Sequence, residues 1–291
     1  MMFKDKLNKN EIRILINIQK GPMSISQLAE ALNKNPSWIS RNVNHLKTLG
    51  FVDVKRIGRR VHVNLNEGPM GASISTLISE ESMLNIVTVL SDSGMQILPL
   101  ILNPGNKAEE IAKRSSLSLR TVQGLLSRLR KMGVVTLTNG CYMLSERHKP
   151  LIEFVKLYTY NSNIKSLKSL FSDASIIWHW RDEFIFSIEQ PVSDRRFIPA
   201  ATSRLRELKY DIIASKEYYL YNPLLRIVSE EEALIQSYLI DSENPRLVRM
   251  IKNGIKNKKI DRNSLLEYAK KYNILKKKFV LRKTLLDKIM L

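Results

Sequence analysis

One segment of this chain occurs twice, and that constrains its fold more than any bulk property does. Residues 21–52 (GPMSISQLAEALNKNPSWISRNVNHLKTLGFV) align without a gap on residues 104–135 (PGNKAEEIAKRSSLSLRTVQGLLSRLRKMGVV). Leu28 falls on Ile111, Ala29 on Ala112, Ile39 on Val122, Val43 on Leu126, Leu46 on Leu129, Gly50 on Gly133 and Val52 on Val135. Each copy reads as a short helix, a turn, a longer helix and a glycine stop running into a strand. That is the pattern of a helix-turn-helix with the start of a wing.

In the first copy, Ile12, Leu15, Ile16 and Ile18 recur near helical spacing over 9–19, and Gly21-Pro22 ends the run. Ser24 suits the N-cap of a helix near 25–32, with Leu28, Ala31 and Leu32 facing inward. Asn33-Lys34-Asn35 makes the turn, and Pro36 suits the first turn of the next helix, 36–48. Ile39, Val43 and Leu46 are its buried stripe, which leaves Ser37, Trp38, Ser40, Arg41, Asn44 and His45 on or beside the other face. Arginine and asparagine pair bidentately with guanine and adenine in the major groove, and serines suit phosphates. For Trp38 the pattern leaves two roles open, contact with a thymine methyl and packing under the wing. Phe51, Val52 and Val54 predict one strand, and Val61, Val63 and Leu65 a second. The hairpin between them carries Lys55, Arg56, Arg59 and Arg60 around Gly58, a concentration suited to phosphates or a minor groove.

Net charge supports a polyanionic partner. The 291 residues carry 47 Lys and Arg against 28 Asp and Glu, a formal +19. The single cysteine, Cys141, forbids an intramolecular disulfide, and no Cys/His spacing suits zinc. The amino-terminal stretch lacks the apolar core of a signal peptide, and no window is long and apolar enough to span a membrane. The expectation is a cytoplasmic protein without membrane or cofactor.

The stretch SISQLAEALNKNPSWISRNVNHLKTLGFVDVKRIGRRVHVNL resembles the winged helix-turn-helix of MarR/ArsR-type transcriptional regulators. The resemblance implies base-edge or phosphate contacts for Ser37, Ser40 and Arg41, and wing contacts for Arg56, Arg59 and Arg60.

The second copy extends over 93–148. Met95, Ile97, Leu98 and Ile101 form its first helix, interrupted by Pro99; Ala108, Ile111 and Ala112 mark the second, and the third runs over about 118–132. Arg120, Thr121, Gln123, Ser127, Arg128 and Lys131 face outward. Gly124 stands where Arg41 stands, and the second hairpin turns at Thr138-Asn139-Gly140 without a cation. The first copy is therefore the stronger candidate reader, and the second a weaker reader or a packing module. Residues 69–92 predict one linker helix with Ile74, Leu77, Ile78, Leu84 and Val87 on its stripe, either connecting or dimerising.

The C-terminal part, 149–291, predicts a mixed α/β domain with a helical end. A helix over 150–171, in one or two pieces, precedes a hairpin in which Ile176, Trp178 and Trp180, then Phe184, Phe186 and Ile188, alternate around Arg181-Asp182. These aromatics suit a core or a stacking platform for single strands. A helix over 197–208 and one or two strands over 210–220 follow. Ser229 to Glu232 reads as a capping box opening a helix over 230–240, with further helices near 245–256, 262–272 and 275–290. Between 242 and 291 stand fifteen Lys and Arg against four Asp and Glu, including Lys258-Lys259 and Lys276-Lys277-Lys278. The segment from SIIWHWRDEFIFSIEQ to SEEEALIQSYLI resembles the C-terminal domain of AbiEi-type antitoxin regulators and related archaeal regulators, which implies a nucleotidyltransferase-like fold. The Gly-Ser and Asp-x-Asp of an active transferase are missing.

The fold class expected is thus α+β, mainly α, with two tandem winged helix-turn-helix domains over 1–68 and 93–148. No phosphate loop, nucleophile elbow or zinc-protease motif is present, so the chain reads as a binder and not an enzyme. Asp182, Glu183, Glu189 and Asp194 cluster in sequence, but strand alternation scatters them as metal ligands. Double-stranded DNA is the expected partner. A protein partner or a second copy, engaged through the linker helix or the C-terminal half as an antitoxin would be, is the alternative.

Overall fold

Asn8 starts the first helix, α1 (Lys9–Ile18), with its side chain accepting from the Asn10 and Glu11 N–H groups while Glu11 reaches back to the Asn8 N–H. Ile12, Ile14, Leu15 and Ile18 are buried. Ser24 then serves twice. It closes a two-residue strand, β1 (Met23–Ser24), absent from the sequence reading, and it caps α2 (Ile25–Ala31) through a reciprocal pair of bonds with Gln27. The buried face of α2 centres on Leu28 and Ala29; Ala31, expected inward, is exposed because the helix ends there and only Leu32 turns back. Asn35 caps α3 (Pro36–Thr48), whose buried stripe is Ile39, Val43 and Leu46, joined by Asn42. A positive φ at Gly50 ends α3. Strands β2 (Val52–Ile57) and β3 (Arg60–Leu65) pair antiparallel from Val52↔Leu65 to Ile57↔Arg60, and β1 pairs with β3, giving the order β1-β3-β2. Three helices and this sheet make the winged-helix arrangement. Phe51, expected in a strand, lies just before β2 and is fully buried.

The structure is a computed structural model that describes residues 7–274 except 59, 92, 103–104, 223–225 and 257–259. The expected linker helix is two: α4 (Pro69–Glu80) and α5 (Ile86–Leu90). Glu81 leaves helical geometry and its carboxylate meets His148 Nδ1 at 2.7 Å, while Asn85 caps the next start. Ile74 and Leu77 are buried, whereas Leu84 and Val87 are only half-buried. Then come α6 (Ser93–Ile97) and a 3-10 turn over Leu98–Ile101, where Pro99 stands.

Next are α7 (Ala108–Ser115), α8 (Leu119–Lys131) and the strands β4 (Val135–Thr138) and β5 (Cys141–Leu144). The repeat holds at the backbone. Asn33 and its aligned Ser116 both have positive φ, 50° and 59°; Asn35 and Ser118 are both N-caps; Gly50 and Gly133 have φ 78° and 72°. Met23 bridges β3 at Val63, and its aligned Asn106 bridges β5 at Tyr142.

A single 22-residue helix, α9 (Lys149–Leu170), follows. On it Phe154 and Tyr158 meet the Phe51 ring, with centroids 6.1 and 6.2 Å away. The chain divides into two units, Met1–Ser166 and Leu167–Leu291, so the division falls inside α9.

The second unit is a four-stranded antiparallel sheet with helices. Its strands are β6 (Ser175–Trp180), β7 (Glu183–Ile188), β8 (Phe197–Pro199) and β9 (Glu217–Tyr221), in the order β6-β7-β9-β8. Phe184 to Ile188 are all buried, so β7 is covered on both faces and not on one as alternation implied. Phe184, Phe186, Tyr219 and Tyr221 stack together, and Trp178 packs edge-on against Tyr272 at 4.7 Å. Phe184, Phe186, Tyr219 and Tyr221 are core residues, while Trp178 and Trp180 are half-buried. Residues 197–199, expected helical, form the edge strand β8, where Pro199 leaves no central ladder bond unmade. The helix begins later as α10 (Ala201–Glu207). Of 210–220 only the end is strand; 210–216 is irregular. Helices α11 (Glu230–Ile240), α12 (Pro245–Lys256) and α13 (Arg262–Lys271) complete the unit. The expected helix 275–290 and the runs Lys258-Lys259 and Lys276-Lys277-Lys278 lie outside the described residues.

Ser229 caps α11 through the Glu232 N–H, but the reciprocal half of the capping box is missing. The Glu232 side chain is 0% exposed and turns instead to Arg226, to Lys271 Nζ at 3.2 Å and to the Tyr272 hydroxyl at 2.5 Å. Despite its burial, these donors hold its carboxyl below the usual range. Glu232→Ala should lower the unfolding free energy by about 1–3 kcal/mol in urea denaturation, because it removes the buried acceptor that Arg226, Lys271 and Tyr272 share while Glu183 stays beside both cations. Burial lowers the His179 pKa to about 4, against an opposing bond from the Arg181 backbone. The folded state therefore holds His179 neutral. Its contribution is complete above the ordinary value of 6.5 and is lost as pH falls from there toward 4. A pH series of melting curves should show that loss in the wild type, and a shallower one in His179→Gln.

Candidate nucleic-acid interface

The exposed side of α3 is built from its start. Asn35 Oδ1 accepts from the Ser37 N–H at 2.8 Å and the Asn35 carbonyl accepts from the Trp38 and Ile39 N–H groups, so with Pro36 at its start the first turn is fixed. Asn10, Lys34, Asn35, Ser37, Trp38 and Arg41 line one open groove there. Trp38 is half-buried in that groove, which no described wing residue lines. Of the residues expected on this face, Ser37, Arg41 and Asn44 are exposed and Ser40 is half-buried.

His45 is the exception. Its Nδ1 lies 2.5 Å from Glu11 Oε1, and a carboxylate only accepts, so the ring donates inward. The same carboxylate caps α1 with its other oxygen. Asn8 Nδ2 donates to Asn42 Oδ1 at 3.0 Å, and Asn42 Nδ2 donates to the Trp38 carbonyl at 2.8 Å. Two bonds one turn apart thus join the start of α1 to α3. Sequence periodicity missed Asn10, Lys34 and the inward role of His45. Lys34 could have been found from its place in the turn and Glu11 from its capping-box spacing to Asn8, whereas nothing local points to Asn10 or to the bond between Glu11 and His45.

On the wing, Lys55, Arg56 and Arg60 are exposed, while Arg59 lies outside the described residues. The pairing Ile57↔Arg60 carries the ladder to the last residues before the turn, where Gly58 has φ 61°. On α8, Arg120, Thr121, Gln123 and Arg128 are exposed, as is Arg130, which the sequence reading passed over. The Thr121 hydroxyl is 2.8 Å from Ser118 Oγ and belongs to the helix cap. Beyond the backbone of its own helix and its chain neighbours, no described atom would lie within 4 Å of a Cβ at Gly124, so the residue opposite Arg41 in the repeat is open surface. The neutral second hairpin turns through Asn139 and Gly140, both at positive φ.

Among the described residues no group of three or more His, Cys, Asp and Glu could hold a metal ion. Glu183 is near Lys271, and Asp194 is paired with Arg196. No described helix is long and apolar enough to cross a membrane.

Residues 6–67, which span α1 to β3, match the model of the HVO_A0114 family. The structure of reduced HlyU from Vibrio cholerae N16961 is 22% identical with a TM-score of 0.24, covering 25% of this chain and 77% of that chain. No curated protein matches the chain.

Glu11→Ala removes the reciprocal cap and the His45 acceptor together. It should lower stability by about 2–3 kcal/mol in urea denaturation, and His45→Ala in that background should add little more. Equal, additive losses from the two substitutions would show that the bond contributes nothing.

Proposed function

We propose that this chain is a sequence-specific, double-stranded-DNA-binding transcriptional regulator. The carrying observation is the division of labour on α3: Ile39, Val43 and Leu46 anchor it, while Ser37, Arg41 and Asn44 are exposed and Ser40 is half-buried, on the helix that leads into a basic hairpin. The helix enters the major groove, with Arg41 and Asn44 on base edges and Ser37 and Lys34 on phosphates. Lys55, Arg56 and Arg60, with Arg59, contact phosphates or the adjacent minor groove. The 104–135 segment is a second winged helix-turn-helix in this reading, supported by the shared turn, cap and bridge positions. It binds more weakly, since Gly124 and the neutral tip replace Arg41 and the cationic tip. The protein acts as a binder without cofactor or catalysis.

Selection from a random duplex library, followed by titration of the winner against scrambled DNA, tests this. A preference above about 10³ is expected, and uniform binding without a motif would overturn sequence-specific regulation. On the selected duplex Arg41→Ala should cost about 1–3 kcal/mol and relax the preference. Arg60→Ala should weaken selected and scrambled DNA alike and reduce the salt slope by about one.

A further inference from the structure

The wing breaks the alternation that the rest of the hairpin obeys. Val52, Val54, Val63 and Leu65 share the face turned to the core, and Arg56 and Val61 continue it past the core. The opposite face carries Asp53, Lys55, His62 and Asn64, all polar, and then Ile57 paired with Arg60. Ile57 is 63% exposed and Val61 37%. Each face of the tip therefore couples one branched aliphatic side chain with one arginine. Strand propensity does not require this, because threonine at 57 would serve as well without exposing apolar surface. Met83, Ile213 and Ile227, also strongly exposed, lie outside paired strands.

A minor groove has walls of this composition: apolar deoxyribose rims alternating with phosphates. We propose that the wing tip is an apolar wedge. Ile57 packs against the sugars and a base step of the minor groove beside the segment that α3 reads, Arg56 and Arg60 hold the flanking phosphates, and the duplex opens and bends around the tip. This rests on the DNA-binding reading above and names the wing's part in it. The wedge contributes affinity through buried apolar area, which releases no counterions, so its share does not fade with salt as the arginines' share does.

The test uses the full chain and the selected duplex, labelled at both ends, titrated from low to near-physiological salt. Ile57→Ser should weaken binding by about five- to fifty-fold at every salt concentration with the salt slope unchanged. Ile57→Leu should restore most of the loss. End-to-end energy transfer should report a shorter duplex with the wild type than with Ile57→Ser, and the two proteins should melt alike. Wild-type affinity for Ile57→Ser, a loss that changes the salt slope, or an undiminished bend would each overturn the wedge. Failure of the wild type to bind any duplex would overturn the DNA-binding reading itself, and the wedge with it.

Discussion

A buried carboxylate decides where the exposed face of α3 points. Glu11 is 2% exposed, and both of its oxygens are committed, one to the start of its own helix and one to His45. Apolar packing of Ile39, Val43 and Leu46 is non-directional and alone would permit the helix to roll or slide. The bonds at Asn42 and His45 remove that freedom, because hydrogen bonds tolerate little error in distance or angle. A buried side chain on a neighbouring helix thus sets the azimuth from which Arg41 and Asn44 project. A carboxylate left without these donors would cost more than the bonds return, so the arrangement is all or nothing.

The first unit was largely legible in the sequence because its information is local. Caps at Asn35 and Ser118, glycine stops at Gly50 and Gly133 and the period of the buried stripes each involve neighbours in the chain. The repeat doubled that information: a feature seen at one offset could be checked at the other. Missing from the reading were contacts between distant segments. Nothing near Met23 announces a partner at Val63, and nothing near Glu11 announces His45. The linker helix failed for a similar reason, since the Glu81 bond to His148 spans 67 positions.

The second unit was less legible because its elements are short and its polar contacts long-range. Phe197-Ile198-Pro199 is too brief for period to separate strand from helix, and only pairing with β9 decides it. Ser229 and Glu232 have the spacing of a capping box, yet the Glu232 carboxylate is claimed by Arg226, Lys271 and Tyr272. Local chemistry offered one partner and the tertiary fold supplied better ones. The same holds for the tryptophan-rich hairpin, where Tyr272, distant in the chain, packs against Trp178.

The two hairpin tips differ in a way that bears on symmetry. One carries arginines and an isoleucine; the other turns through Thr138, Asn139 and Gly140 without charge. Dimeric DNA readers bring two identical halves and therefore match inverted repeats. On the DNA-binding reading proposed above, a single chain acting through two unlike halves would have no two-fold axis, so its binding site would not need to be a palindrome. Once seated, such a chain would give the duplex a direction, with one end of the complex the strongly charged one. A promoter marked in this way would distinguish upstream from downstream without any second protein.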